Sequence, residues 1–184
     1  METIFVCPHQ VNIDHAWENW NQLMIIRKPT IKDVESLEHI EVEAWDALTT
    51  PLWPNLNPAF ETRLPLEQTL LAELDGYVVG YCTTGYRTSL NCNRHVHTLR
   101  SLAVLPKFRR RSIARSLIAG AEKQMLQDGC LKISLNVMSS NPVAISLYRS
   151  CGFVQEGELQ REFYLDDTWV DDLIFAKHLF SPPN

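Results

Sequence analysis

The chain predicts an α/β (α+β) fold: a mixed, mostly antiparallel sheet with a central parallel strand pair and helices on both faces. Apolar runs of strand length alternate along it with stripes of helical period. Asp75-Gly76 separates two β-rich runs, Thr69–Leu74 and Tyr77–Tyr86, a strong signal for a hairpin closed by a type I′ turn. A third run, Leu99 to Leu105, is stopped by Pro106 and leads into a helical stripe of Ile113, Ala114, Leu117, Ile118, Ala121 and Met125. Strands on either side of that helix become parallel neighbours through a right-handed crossover.

Leu23 to Arg27 reads as a short first strand, ended by Pro29. Thr30 caps a helix whose stripe runs through Val34, Leu37, Ile40 and Trp45, with Asp33 in its first turn. Thr49 to Pro65 carries Pro51, Pro54, Pro58 and Pro65, a density that breaks regular elements. Its Trp53 and Phe60 either line a pocket for a second substrate or cover the core. Gly80 and Gly85 mark a bulge or a close approach within the second hairpin arm. Ser89 to Arg94 is a polar loop, and the next strand rises from His95 to Val104. Gly129 stops the central helix, and Leu131 to Val137 alternates as a strand. Asn141-Pro142 opens a short helix with Asn as N-cap and Pro at the first helical position, and Gly152 closes it. Phe153–Leu159 and Tyr164–Lys177 read as a last strand pair with Asp166-Asp167 in or near their turn.

At 184 residues the chain fits one domain able to bury a core without staples. Net charge is −5, so basic residues form local islands, which argues against a nucleic-acid partner. The cysteines are five, an odd number, with no CxxC spacing, and read as reduced thiols of a cytoplasmic protein. His95 and His97 form an HxH pair with no third ligand at suitable spacing, so no metal site is expected. No signal peptide and no run of membrane-spanning length is evident, so no membrane association is expected.

Arg109, Arg110 and Arg111 stand between the strand that ends at Leu105 and the helix that begins near Ile113. The first amides of a helix have no partner within it, and the helix dipole adds positive charge there. That geometry takes phosphate well, and guanidinium forks match its oxygens. A basic turn on a solvated surface is the alternative for an arginine run alone.

Three segments resemble the GCN5-related N-acetyltransferase (GNAT) superfamily. The first is Leu102-Ala103-Val104-Leu105-Pro106 followed by Arg109-Arg110-Arg111-Ser112-Ile113-Ala114, similar to the family's pyrophosphate loop Q/R-x-x-G-x-G/A. The second is Asn141, Ala144 and Leu147-Tyr148 ending in Cys151-Gly152-Phe153, which resembles N-x-x-A-x-x-L-Y-x-x-x-G-F. The third, Trp169 to Leu179, is similar to the closing strand of ribosomal-protein and small-amine acetyltransferases. The resemblance covers roughly Met24 to Leu179 and implies a single acetyltransferase domain over residues 22–180. An N-terminal extension, 1–21, and a tail, 181–184, flank it. The order of the three is specific where each alone is weak. Ser112 departs from the family's glycine, which lets backbone approach phosphate closely.

The resemblance implies transfer of an acetyl group from acetyl-CoA to a primary amine, by direct attack within a ternary complex. The acceptor is a peptide or protein N-terminus or a small-molecule amine. Backbone of Leu102, Ala103 and Val104 would pair with the pantetheine arm. Amides and side chains from Arg109 to Ala114 would hold the pyrophosphate, and Asn141, with Ala144 beside it, would meet the cofactor near its reactive end. Tyr148 would donate a proton to the departing sulfur, a sensible role for a phenol. His97, Glu156 and Glu158 are candidates for a general base; strict alternation puts His97, Leu99 and Ser101 on one face. A homodimer is compatible with the sequence. The rival reading is a non-catalytic acyl-CoA-binding module of the same fold; a P-loop protein fails because no GxxxxGK(S/T) is present.

Overall fold

The computed structural model describes residues 23–45, 50 and 66–179. The loop predicted at 49–65 and both terminal segments lie outside the described residues, apart from Thr50. Strand β1 (Met24–Arg27) leads through a tight turn, Ile31–Asp33, into helix α1 (Val34–Ala44). Strands β2 (Thr69–Leu74), β3 (Tyr77–Tyr86) and β4 (Val96–Val104) follow. Helix α2 (Ile113–Gln127), β5 (Lys132–Met138), helix α3 (Pro142–Ser150), β6 (Val154–Leu165) and β7 (Thr168–His178) complete the domain.

The strands form one 7-stranded sheet in the order β1-β2-β3-β4-β5-β7-β6. Every neighbouring pair is antiparallel except β4 and β5, as expected. Turn residues account for much of this layout. Asp75 and Gly76 both adopt positive φ, +49° and +87°, the conformation a type I′ turn needs. Asp166 and Asp167 do the same between the last two strands, at +46° and +58°. That turn corrects one expectation: β6 continues to Leu165, through register shifts at Gln155/Gly157 and Leu159/Phe163, so Tyr164 belongs to β6 and not to the final strand.

The core face of α2 is the predicted one, with Ile113, Leu117, Ile118, Ala121 and Met125 all buried. Leu117 offers its carbonyl to the thiol of Cys82 on β3, and a Cβ on Gly120 would meet Ile26 and Leu70. These contacts put α2 on one face of the sheet. Leu71 and Tyr81 alternate to the other face and are fully buried there, under α1, which packs on β3 and β4. Gly80 is a close approach: a Cβ there would lie 2.7 Å from the Ala103 carbonyl.

Asp33 organises the entry to α1. Its carboxylate accepts from the Thr30 amide at 2.7 Å, the Thr30 hydroxyl at 2.9 Å and the guanidinium of Arg27 at 2.8 and 2.9 Å. Thr30 and Asp33 thus pair across the helix start as a capping box, as their spacing predicts, and the Thr30 hydroxyl donates to Asp33.

Candidate active site

The sheet opens in its middle. Strands β4 and β5 pair only at Val96–Lys132, His97–Ile133 and Thr98–Ser134. Beyond Thr98, β4 keeps its bonds to β3 as far as Val104 but, among the described residues, has no strand on its other edge. β5 likewise stays paired with β7 up to Met138. The open edge of β4 contains Leu102, Ala103 and Val104. Unpaired strand edges present rows of amide donors and carbonyl acceptors, which suits an extended amide-bearing arm.

A bulge sits where the strands part. Thr84 pairs with Leu99 and Thr83 with Ser101, so Arg100 is the extra residue. It overturns the expected alternation: Ser101 faces away from Leu99 and His97, on the side opposite α2.

At the far end of the cleft lies the arginine loop. Arg110 and Ser112 adopt φ of +62° and +61°, and Ser112 is left-handed with ψ of 6°. A left-handed position is where glycine costs least, which explains the glycine at this place in the motif. The Ser112 side chain makes no capping bond, and the first amide held from the helix side is that of Ser116, bonded to the Ser112 carbonyl. The amides of Ile113 and Ala114 precede it and emerge at the helix start, as helix geometry requires.

The three arginines do not act alike. The Arg109 guanidinium turns inward, donating to the Val104 carbonyl at 3.2 Å and the Ala44 carbonyl at 2.8 Å, while its amide donates to Pro106. Its expected side-chain contact with phosphate is therefore replaced by a structural clamp between β4 and α1. Arg111 lies over the Phe108 ring at 5.7 Å. Arg110 is exposed and makes no hydrogen bond among the described residues.

Tyr148 is buried near the C-terminus of α3, where two capping bonds fix it. The Phe153 amide donates to the Tyr148 carbonyl at 3.1 Å and the Gly152 amide to Arg149 at 3.1 Å, with Gly152 at φ +87°. This is a Schellman closure, and its accompanying apolar contact is the Tyr148–Phe153 ring pair, 5.9 Å between centroids. Burial pushes the Tyr148 phenol above its usual range, with the nearby Cys82 and Cys151 adding to the shift. Cys82 itself is pushed up to about 12 by burial, so it is an inert thiol.

Asn141 caps α3 as predicted: its Oδ1 accepts from the Ala144 amide at 3.0 Å. That leaves the Asn141 side-chain NH₂ as the group able to meet a ligand.

The three candidate bases fare differently. His97 is buried in the paired part of the sheet, its ring edge-on to Tyr86 at 4.7 Å, and burial lowers its pKa. Glu156 is tied to Lys132 at 2.6 Å and to His178 at 3.4 Å, on β6 at the sheet edge. Glu158 is exposed on the same edge strand. None of the three lines the opening.

Two other carboxylates are buried, Glu41 and Asp172; the acidic run Asp166, Asp167, Asp171 and Asp172 reads in the sequence as a turn and solvated strand end or as a lure for a cationic acceptor, and Asp172 is not solvated. Glu41 on α1 accepts from the Trp45 indole at 3.0 Å, and burial raises its pKa. Asp172 on β7 accepts from the Asn136 side-chain amide on β5 at 2.5 Å. Alternation within β5 and β7 was the available signal, but the pairing of residues 36 apart was not. Among the described residues no group of three or more His, Cys, Asp or Glu could hold a metal, and no helix is long and apolar enough to cross a membrane.

Comparison with known proteins brings these features together. Residues 32–153 match the family model described as "Acetyltransferase (GNAT) family". A protein of Streptococcus mutans of known structure is 26% identical, with a TM-score of 0.78 over 85% of this chain and 99% of that one. A ribosomal-protein-alanine N-acetyltransferase from Brucella melitensis is 28% identical, with a TM-score of 0.72 over 84% of this chain and 99% of that one. A putative acetyltransferase from Salmonella typhimurium, solved with acetyl-CoA, shares the fold at 20% identity and a TM-score of 0.74, over 88% of this chain and 97% of that one.

Proposed function

This chain belongs to the GNAT acetyltransferase family, an acetyl-CoA-dependent acyltransferase, and from that premise we propose that it N-acetylates a primary amine by direct attack within a ternary complex. The observation that carries the reading is the parting of β4 from β5 beyond Thr98 and Ser134, with Tyr148 held on the adjoining helix. We take the acceptor to be a peptide or protein N-terminus or a small-molecule amine, and the setting to be the cytoplasm, where its thiols stay reduced.

The cleft fits its co-substrate on its own terms. The open edge of β4 at Leu102 to Val104 offers backbone groups to the amides of a pantetheine arm. The loop's left-handed residues and the start of α2 turn amides of Ser112, Ile113 and Ala114 toward a pyrophosphate, with Arg110 adding charge. Arg111 supports the loop by stacking on Phe108, and Arg109 by holding β4 to α1. Asn141 contributes its NH₂ near the reactive end, and Ala144 leaves room beside it.

Acetyl-CoA supplies the activated acetyl group. What the chain adds is orientation and a proton. Holding both substrates in one cleft removes much of the entropic barrier. The buried Tyr148 phenol keeps its proton at neutral pH, because burial disfavours its ionised form, and delivers it as charge builds on the departing sulfur; the attacking amine is neutral, and the proton its nitrogen sheds on forming the amide restores the phenol.

The test is thiol release from acetyl-CoA against peptides with free N-termini, amino acids, polyamines and aminoglycosides. At least one class should accelerate release above the amine-free rate. Tight CoA binding with no accelerated release by any amine would replace this reading with a non-catalytic acyl-CoA-binding module.

A further inference from the structure

We propose that Asp172, held by Asn136, is the residue that receives the ammonium group of the acceptor; the proposal rests on the amine-acetylating reading above. Asn136 lies two positions past Ser134, the last β5 residue paired with β4, and so borders the opening. Across the gap, the bulge at Arg100 makes Ser101 the second position past Thr98. Ser101 and Asn136 therefore flank the opening at one level, roughly 7 Å beyond the last paired residues. Asp172 stands one strand further out, and its Oδ2 accepts from the Asn136 amide.

The face matters as much as the level. Phe175 and Lys177 point toward α3, where Arg149 lies over the Phe175 ring and Lys177 over Phe153. Asp172 alternates to the opposite face. The carboxylate and Tyr148 thus approach the opening from opposite sides of the sheet, one placed to hold an incoming amine and the other to serve the leaving sulfur.

The charge of Asp172 is uncompensated within the described chain. It is 8% exposed, Asn136 is its one hydrogen-bond partner among the described residues, and Oδ1 has none. Arg87, which follows β3, donates to the Ser134 hydroxyl on β5 at 2.8 Å. A largely buried carboxylate that has no cation beside it, and whose free oxygen is not sealed from solvent, is a natural seat for an arriving cation. A primary ammonium supplies both the charge and the donor that Oδ1 lacks; it then sheds one proton to bulk water, so that the neutral amine attacks the thioester. On the same face, past Ser101, the buried hydroxyl of Thr83 also has no partner among the described residues.

The experiment uses the full chain with acetyl-CoA and a tripeptide amide of alanine, or whichever amine is turned over fastest in the panel. Asp172→Asn keeps the shape and removes the charge. It should raise KM for the amine by about tenfold or more, the value of a charge-assisted bond, with a smaller change in kcat. CoA affinity and the thermal midpoint should stay near wild type. Asn136→Ser leaves the carboxylate but frees it, and should raise the same KM by a smaller factor. Asp172→Glu should recover part of the loss. An unchanged amine KM in Asp172→Asn, with wild-type turnover intact, would overturn the assignment while leaving the acetyltransferase reading in place. Absence of turnover in the wild-type protein would overturn both.

Discussion

The guanidinium of Arg109 donates to the carbonyl of Val104 at 3.2 Å and reaches on to Ala44 at 2.8 Å. It closes the end of β4 against the end of α1, although its neighbours in sequence serve the solvent side of the same loop. Arg109→Ala should therefore lower stability by about 1–3 kcal/mol, the cost of leaving carbonyls without a charged donor. Arg110→Ala should leave stability unchanged within about 0.5 kcal/mol, as exposed substitutions do, and weaken CoA binding. Chemical denaturation and calorimetric titration of the two variants check the division of labour; equal losses of CoA affinity with no stability difference would refute it.

Ser112 sits at φ +61° with no capping bond to lose. Left-handed geometry costs a non-glycine residue about 1–2 kcal/mol. Ser112→Gly should recover part of that, roughly 0.5 kcal/mol net of the extra freedom glycine gains when unfolded. It should bind CoA at least as tightly, while Ser112→Val should lose both stability and affinity. Denaturation midpoints and CoA titrations of the pair decide the matter.

Two buried carboxylates give opposite pH signatures. The Arg27 guanidinium, with the Thr30 donors, holds Asp33 well below its ordinary 3.8. Its stabilisation is present above that pH and is lost as pH falls further, toward the folded value. Asp33→Asn should thus be destabilised at pH 7, with the gap to wild type closing toward pH 3. Burial moves Glu41 the other way, above its ordinary 4.5. Its contribution is full below that value and is lost as pH rises through the folded pKa. Glu41→Gln should gain on wild type as pH rises above about 4.5. Denaturation series from about pH 3 to neutral pH read both slopes, and a flat difference for either variant would contradict the account.

Features fixed by local geometry are legible in the sequence itself. Asp75-Gly76, the Asn141 cap and the stops at Gly129 and Gly152 each need only a few neighbouring residues, and each stands where the motif predicts. So does the buried stripe of α2. Features that depend on a partner strand are not legible there. The bulge at Arg100 exists only relative to β3, and it moves Ser101 to the other face. The inward turn of Arg109 requires Ala44, 65 residues earlier. The Asn136–Asp172 pair needs β7 inserted beside β5, ahead of β6 in the sheet order. The family motif marks Tyr148, but only the fold explains how Phe153 locks it in place.

The most direct measurement is the rate of acetyl transfer by Tyr148→Phe beside its affinity for CoA. The substitution deletes one hydroxyl and keeps the ring against Phe153. The account predicts a kcat lowered by about 10²-fold or more, the scale of general acid catalysis, with CoA affinity near that of the wild type. A variant that turns over at the wild-type rate would contradict the assignment of Tyr148 as the proton donor in this cleft.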